Sequence, residues 1–376
     1  MQYRDFGRVG QKVSALGFGC MRLPMRDAEN VDEELAIAMI RYAIDHGVNY
    51  VDTAFGYNKG QSEVVLGKAL KDGYREKVML STKNLVHEVD AAKWWERLET
   101  QLKKLDVDFI DVYHQHGISW QKYEESLSKP GGAIEQMYKA KEQGIIGHIA
   151  FSFHDKPESL FKLVDTGHFD VVTVQYNLLD RSNEEGIAYA HEKGLGVVIM
   201  GPVAGGRLGF ASEKIMAMLP GAARSTPEVA LRFVLANPNV SCALSGMSTM
   251  EQVKENLEVA SRPEPLSAEE REAIEAALEE NKKLADLYCT GCEYCMPCPH
   301  GVNIPRNFAL MNLHRVFGLT EYAKREYARF DKPDQKERRR GLAASECQEC
   351  GECEPKCPQN IPIIKQLKET AEALGQ

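Results

Sequence analysis

Between residues 13 and 260, short runs of β-branched and other apolar residues alternate with longer segments whose apolar positions recur every three or four residues. The first pattern suits buried strands and the second amphipathic helices, so the stretch reads as repeated strand–helix units around a parallel sheet. Eight strand segments are predicted: SALGFGC (14–20), NYVDTA (49–54), VMLSTK (78–83), FIDVYHQH (109–116), GHIAFSF (147–153), VVTVQYN (171–177), GVVIMGP (196–202) and CALSGM (242–247). EELAIAMIRYAIDHG (33–47) and KWWERLETQLKKL (93–105) show the helical period between them. Gly47, Gly73, Gly144, Gly167 and Gly194 each close a helix before the next strand, where a left-handed cap suits glycine. Eight units in about 250 residues fit an α/β fold of the (β/α)8 TIM-barrel type better than an open doubly wound sheet. Residues 1–12, MQYRDFGRVGQK, are expected to form a short hairpin closing the barrel floor.

The pattern changes after the barrel, which is assigned residues 1–262. Prolines 263 and 265 open a charged linker helix (263–285), with Ser267 and Glu270 spaced as a capping box. Residues 286–376 read as helix, cysteine run, helices, cysteine run, helix, with almost no strand pattern. A small α-helical domain organised by metal is expected there.

Composition narrows the classes of partner. The 376 residues are 43% hydrophobic and 27% charged, with 13 Phe, 14 Tyr and 3 Trp, which describes a soluble globular chain and excludes a small disulfide-stapled module or a disordered one. Asp plus Glu (55) exceed Lys plus Arg (46), and a net charge of −9 builds no field to gather nucleic acid or an anionic membrane. The start lacks an apolar signal core, and no stretch approaches the ~18 continuous apolar residues of a membrane span. A cytoplasmic protein is expected, with a small-molecule substrate and, through its metal domain, a redox protein partner. The KERRR run (336–340) could dock an acidic redox protein, although a solvated helix face is the favoured reading.

Eight of the ten cysteines lie between Cys289 and Cys357, leaving Cys20 and Cys242 outside. Without an export signal, such clustering points to metal ligands rather than disulfides. The first run is Cys289, Cys292, Cys295 and Cys298, followed by Pro299; the second is Cys347, Cys350, Cys353 and Cys357, followed by Pro358. The second matches the C-x2-C-x2-C-x3-C-P spacing of bacterial ferredoxins, in which the fourth cysteine ligates the other cluster. That rule predicts one 4Fe-4S cluster on Cys289, Cys292, Cys295 and Cys357, and another on Cys347, Cys350, Cys353 and Cys298. The first run departs by having two residues, not three, before its fourth cysteine. Two zinc sites are the competing reading, but zinc knuckles usually come as pairs separated by a longer loop.

Catalytic groups of a barrel sit where its strands end. Asp52, Lys83, His116, Ser152 with His154, and Gln175 end five consecutive strand segments, and Tyr57 follows Asp52 on the next loop. Each alone has an ordinary explanation: a helix cap, a solvated lysine, a hydrogen-bonded histidine. Together they make a proton-transfer set. A tyrosine of reference pKa ~10 serves as an acid near neutrality if a cation stabilises its phenolate. Lys83 would supply that cation and Asp52 would hold the ammonium in place.

These residues, with VDTAFGY (51–57), SEVVLGKAL (62–70), LSTKN (80–84), DFIDVYHQH (108–116), VQYN (174–177) and GMSTMEQVKENL (246–257), resemble the aldo-keto reductase family over residues 1 to 260. The resemblance implies a catalytic tetrad of Asp52, Tyr57, Lys83 and His116, with Tyr57 protonating a carbonyl oxygen and His116 orienting it. It aligns with His116 rather than His114, although strand alternation puts both on one face. It further implies NADP or NAD held by Gly19, Cys20 and Met21 after the first strand, and by Ser152 and Gln175 at the carboxamide. Gly205, Gly206 and Arg207 of the PVAGGRL loop (202–208) would lie near the pyrophosphate, and Gly246, Ser248, Gln252, Glu255 and Asn256 around the adenosine. Glycine richness alone is a weak phosphate signal.

Two positions depart from the family pattern. Phe153 and His154 follow Ser152 where many members have Asn, and Gly246 and Gln252 stand where NADPH-preferring members place basic residues. Both nicotinamides therefore stay open. With 48 residues between Cys298 and Cys347, the second domain resembles the α-helical ferredoxin type.

The leading expectation is an NAD(P)H-dependent oxidoreductase that reduces a carbonyl or oxidises an alcohol, with two 4Fe-4S clusters for electron transfer. Hydride transfer moves two electrons together, whereas a cluster usually carries one, and no flavin signature is visible to split the pair. The clusters could exchange electrons with a partner through an unseen flavin, sense redox state, or support the second domain. The alternative is an electron-transfer protein whose barrel is a nicotinamide-binding docking or regulatory platform, against which the intact tetrad argues.

Overall fold

In the computed structural model of the chain, β1 (Tyr3–Asp5) and β2 (Lys12–Ser14) pair as an antiparallel hairpin, and eight further strands close a parallel barrel. These are β3 (Leu16–Gly19), β4 (Tyr50–Asp52), β5 (Met79–Asn84), β6 (Ile110–Ile118), β7 (Ile146–Phe153), β8 (Val171–Gln175), β9 (Gly196–Met200) and β10 (Cys242–Gly246). They pair in sequence order, and β10 returns to β3 through Ala243 opposite Leu16 and Gly246 opposite Gly19. The expected TIM-barrel architecture is observed. The structure describes residues 1–219, 223–262, 266–286, 289, 293–330, 341–357 and 361–375, with backbone alone for 281–286. The KERRR run, Pro263, Pro265, Cys292 and Pro358 lie outside the described residues.

Strands covered on both faces read as continuous apolar runs rather than alternating ones, and all six residues of β5 are buried. The helices start where caps dictate. Asp32 accepts from the Leu35 amide at the head of Glu33–Asp45, and Asp90 from the Lys93 amide at the head of Ala91–Leu105. The Asp90 cap sets that start two residues ahead of the periodic segment. The five helix-closing glycines all adopt the left-handed conformation expected of them.

The amino-terminal hairpin does close the floor. Phe6 and Val9 join Tyr50, Met79, Val112, Ala150, Val171 and Val198 in one buried cluster, and a Cβ on Gly196 would stand 2.5 Å from the Phe6 ring. Burial of one such phenylalanine contributes about 2–3 kcal/mol.

The chain forms two compact units, Met1–Gly205 with Ala230–Leu266, and Gly206–Val229 with Ser267–Gln376. The second unit is helical, with helices Ala268–Asp286, Ile304–Arg315, Thr320–Tyr327 and Ile363–Leu374. The expected capping box is present: Glu270 accepts from the Ser267 amide (2.8 Å) and Ser267 Oγ from the Glu270 amide (3.1 Å). Val302, Ile304, Phe308, Met311, Ile363 and Leu367 form the core together with Cys295, and Cys289, Cys298, Cys347, Cys353 and Cys357 pack against it. The segment 206–229 belongs to this unit through its own contacts: Ser212 Oγ donates to the Phe317 carbonyl (2.6 Å), Lys214 Nζ to the Arg315 carbonyl (2.6 Å), and Phe210 meets Tyr322 edge-on. Among the described residues, no helix is long and apolar enough to cross a membrane.

Candidate active site

Parallel pairing brings the strand ends to one rim, with Gly19 opposite Asp52 and Lys83 opposite His114. Lys83 is 2% exposed and Asp52 3%, and Lys83 Nζ donates to Asp52 Oδ1 (2.5 Å) and to the Thr53 carbonyl (2.7 Å). Burial works against the Lys83 charge, but Asp52 and Tyr57 outweigh it and hold the ammonium above its usual range. The ammonium stands 4.9 Å from the centroid of the Tyr57 ring. Burial raises the Tyr57 hydroxyl above the ordinary phenol, with Lys83 pulling the other way. The lysine therefore moderates the upward shift rather than producing a net downward one, and the phenol keeps its proton at neutral pH.

His116 lies edge-on to Tyr57, ring centroids 6.2 Å apart. Burial, and then the charge of Lys83, push its pKa down to about 3, so the imidazole is neutral. His114 is one layer deeper, fully buried between Ser81 Oγ (3.2 Å) and Thr173 Oγ1 (2.9 Å). Of the two histidines on this strand, His116 is the one at the rim beside Tyr57. Gly117, with φ 65°, interrupts the register between Gln115 and Ile118 just beyond it.

The expected cofactor residues have varied settings. Gly19 and Gly246 face each other at the ends of β3 and β10. Cys20 is buried and its carbonyl accepts from Ser62 Oγ (2.8 Å), whereas Met21 is 59% exposed. Ser152 is buried and accepts from the Gly117 amide (2.7 Å). Gln175 ends β8 and lies over Gly201, where a Cβ would stand 2.7 Å from Gln175 Oε1, so only glycine leaves that amide room. Ser248 Oγ donates to the Arg22 carbonyl (2.8 Å), and Gln252 Oε1 accepts from the Ser248 amide (2.8 Å). Asn256 ties helix Met250–Ser261, which also carries Glu255, to Ser245 Oγ (3.0 Å). Gly205 accepts from Arg22, while Gly206 and Arg207 open the segment grouped with the helical unit.

Sequence reasoning missed Ser81 and Arg22. Ser81 shares the inward face of β5 with Lys83, two positions on, which was a usable signal. Arg22 lays its aliphatic stem 3.3 Å from where a Gly246 Cβ would be and donates from Nη2 to the Gly205 carbonyl (2.8 Å). It thus supplies a cation beside Gly246, where the sequence shows none.

A cavity of about 690 Å³ lies elsewhere, lined at the starts of β5 and β6 by Lys77, Met79, Phe109 and Asp111. Several of its charges are paired, as in Arg75 with Asp111 (2.6 Å) and Lys77 with Asp45 (3.2 Å), and it faces away from the strand ends that carry chemistry.

In the helical unit, Cys298, Cys347, Cys350 and Cys353 line one cavity with Val302, Ile304 and Leu367. Cysteines of both runs therefore meet. Burial raises the Cys353 thiol, and the neighbouring Glu354, Cys347 and Cys298 add to it. Among the described residues, no three His, Cys, Asp or Glu close to the separation of a single shared metal ion. Four sulfur donors around one apolar pocket fit a cluster. Cys289, Cys295 and Cys357 pack on the same core and do not line this cavity.

A barrel whose rim carries a buried lysine–aspartate pair, a tyrosine and a neutral histidine belongs among barrel enzymes that couple proton transfer to another step. The Aldo/keto reductase family model matches residues 15–279 and that of a 4Fe-4S dicluster domain residues 288–362, so the chain belongs to the aldo/keto reductase family, as an oxidoreductase with a 4Fe-4S domain. It is similar to aldo-keto reductase AKR11C1 from Bacillus halodurans in its holo form (31% identity, TM-score 0.64, 73% of this chain and 96% of that one). It is also similar to an aldo/keto reductase from Klebsiella pneumoniae solved with NADP and acetate (25% identity, TM-score 0.59, 72% and 93%). Among curated relatives, L-galactose dehydrogenase of Arabidopsis thaliana is 28% identical over 76% of this chain and 96% of its own length.

Proposed function

We propose that the protein is an NADPH-dependent carbonyl reductase, acting in reverse on alcohols, whose second unit holds two 4Fe-4S clusters. The arrangement of Tyr57 with Lys83, Asp52 and His116 supports this reading above all. When bound, the nicotinamide supplies the hydride to the carbonyl carbon. Neutral His116 orients the carbonyl, and Tyr57, protonated at neutral pH, gives its proton to the oxygen as charge develops there. Lys83, fixed by Asp52, stabilises the phenolate left behind until solvent returns a proton. Gly19, Cys20, Met21, Ser152, Gln175, Gly205, Gly206, Arg207, Gly246, Ser248, Gln252, Glu255 and Asn256 are proposed to contact the nicotinamide coenzyme. Arg22 favours NADPH because a guanidinium beside Gly246 suits a phosphate.

The cavity of Cys298, Cys347, Cys350 and Cys353 supports one cluster, with Cys289, Cys292, Cys295 and Cys357 for the second. When bound, the clusters carry single electrons. The domain boundaries 1–262, 263–285 and 286–376 remain part of this reading as divisions of the sequence, with 206–229 an excursion that groups with the helical unit, and so does a reducing cytoplasmic setting that leaves the thiols available for iron. The clusters are assigned to exchange with a redox partner.

Tyr57→Phe is expected to abolish carbonyl turnover while cofactor binding persists, and unchanged turnover overturns the assigned acid. Anaerobic NADPH is then mixed with cluster-loaded protein without a carbonyl, and cluster reduction is followed by EPR. Reduced clusters connect the two cofactors and favour the electron-transfer alternative. Clusters that stay oxidised while an added aldehyde is reduced support a barrel working alone on hydride chemistry.

A further inference from the structure

The rim beyond His116 is organised around Gly117. Its amide donates to Ser152 Oγ (2.7 Å), its carbonyl accepts from Lys122 Nζ (2.9 Å), and a Cβ there would lie 3.9 Å from His154 Cδ2. One residue earlier, the His116 carbonyl meets His87 Nε2 at 2.5 Å. The His116 ring stands 6.5 Å from that of His154 and 6.2 Å from that of Tyr57. Lys122, His154 and His87 thus gather around His116–Gly117, beside the groups that address the carbonyl.

Among the described residues, Lys122 forms no ion pair. Asp155, Glu88 and Glu125 have other partners, Glu125 accepting from Gln121 Nε2 (2.9 Å). Asp155 accepts from the amides of Trp120 and Lys156, and Glu88 pairs with Lys93. Desolvation first, and then the Lys122 charge, lower His154, so that imidazole offers a hydrogen bond without a second charge. An ammonium has three donors, of which Gly117 takes one. A half-buried lysine held against backbone with donors to spare is matched by an anion arriving with the ligand.

Resting on the carbonyl-reductase reading above, we infer that the substrate carries a carboxylate a few bonds from its carbonyl, which pairs with Lys122 Nζ and is flanked by the His154 imidazole. The single cation selects a carboxylate rather than a doubly charged phosphate. Tyr57 and His116 take the carbonyl end and Lys122 fixes the other, so the residue determines specificity and its effect falls on KM.

The test compares kcat/KM of the full, cluster-loaded chain for succinate semialdehyde, butanal and glyceraldehyde phosphate in the native protein, Lys122→Met and Lys122→Arg. Succinate semialdehyde is expected to exceed butanal by about tenfold or more, through KM, an advantage the size of one charge-assisted hydrogen bond. Added salt should shrink it, Lys122→Met remove it and Lys122→Arg restore most of it. A ratio near unity in the native protein, or one that survives Lys122→Met, overturns the inference while butanal turnover leaves the carbonyl-reductase reading intact. A preference for the phosphate overturns the choice of carboxylate. If Lys122→Met fails to bind nicotinamide and so is misfolded, Lys122→Arg and the salt dependence decide. Turnover of no aldehyde refutes the underlying reading, and the inference falls with it.

Discussion

Ser81 gives its hydroxyl proton to Asp52 Oδ2 (2.8 Å), the carboxylate oxygen that Lys83 does not use. A carboxylate only accepts, so the direction is fixed. Ser81 must then accept from His114, whose Nδ1 carries the proton, and Nε2 accepts from the Thr173 hydroxyl. Four strands contribute to this chain, and each member is buried. Buried networks of this kind are worth more than exposed ones because no water replaces a lost partner.

Removing the serine hydroxyl leaves Asp52 Oδ2 without its donor. Ser81→Ala is expected to lower kcat about tenfold, with KM for the carbonyl little changed, because a buried acceptor left unpaired costs about 1–3 kcal/mol. Steady-state kinetics checks this. An unchanged kcat would mean that Lys83 alone fixes the carboxylate.

Asp52, Tyr57, Lys83 and His116 were legible because polar residues at the ends of otherwise apolar runs stand out against a strong period. The barrel was legible for the same reason. Ser81 carried only the signal of sharing a face with Lys83, two positions on, since a small hydroxyl within LSTKN otherwise resembles any strand residue. Lys122 and Arg22 were hidden more deeply. The first is held by the carbonyl of left-handed Gly117 and the second by a contact far along the chain. The packing of residues 206–229 with the helical unit comes from bonds to Arg315 and Phe317 and the contact of Phe210 with Tyr322, about a hundred residues away, with no periodic trace.

Arg22 predicts the coenzyme preference. Arg22→Met is expected to weaken NADPH binding by about tenfold or more and NADH much less, since a guanidinium–phosphate contact is charge-assisted. Fluorescence titration of both nicotinamides measures it. Equal losses for the two would place Arg22 against a group they share.

The cysteine cavity predicts which thiols act together. Cys298→Ala and Cys350→Ala are expected to remove the same cluster, and Cys357→Ala the other, each leaving about half the iron. Iron analysis and EPR of the reduced protein check this. Loss of the same signal from Cys357→Ala and Cys350→Ala would return the ligands to their own runs.

The two histidines of β6 predict an acid-sensitive fold. Burial holds His114 well below the ordinary imidazole value and His116 at about 3, so the folded chain leaves unprotonated two groups that the unfolded chain protonates below about pH 6.5. The unfolded state then binds more protons, and stability falls as pH drops through that value toward the folded pKa. For His114 alone the loss approaches about 1.4 kcal/mol per pH unit. The melting temperature is expected to fall steadily below pH 6, and His114→Gln to flatten that dependence. Carbonyl reduction, by contrast, should show no inflection near pH 6.5 from His116, because the ring is already neutral on both sides of it. An inflection there that disappears in His116→Asn would show that the imidazole titrates normally in the working enzyme and does not polarise the carbonyl as a neutral donor.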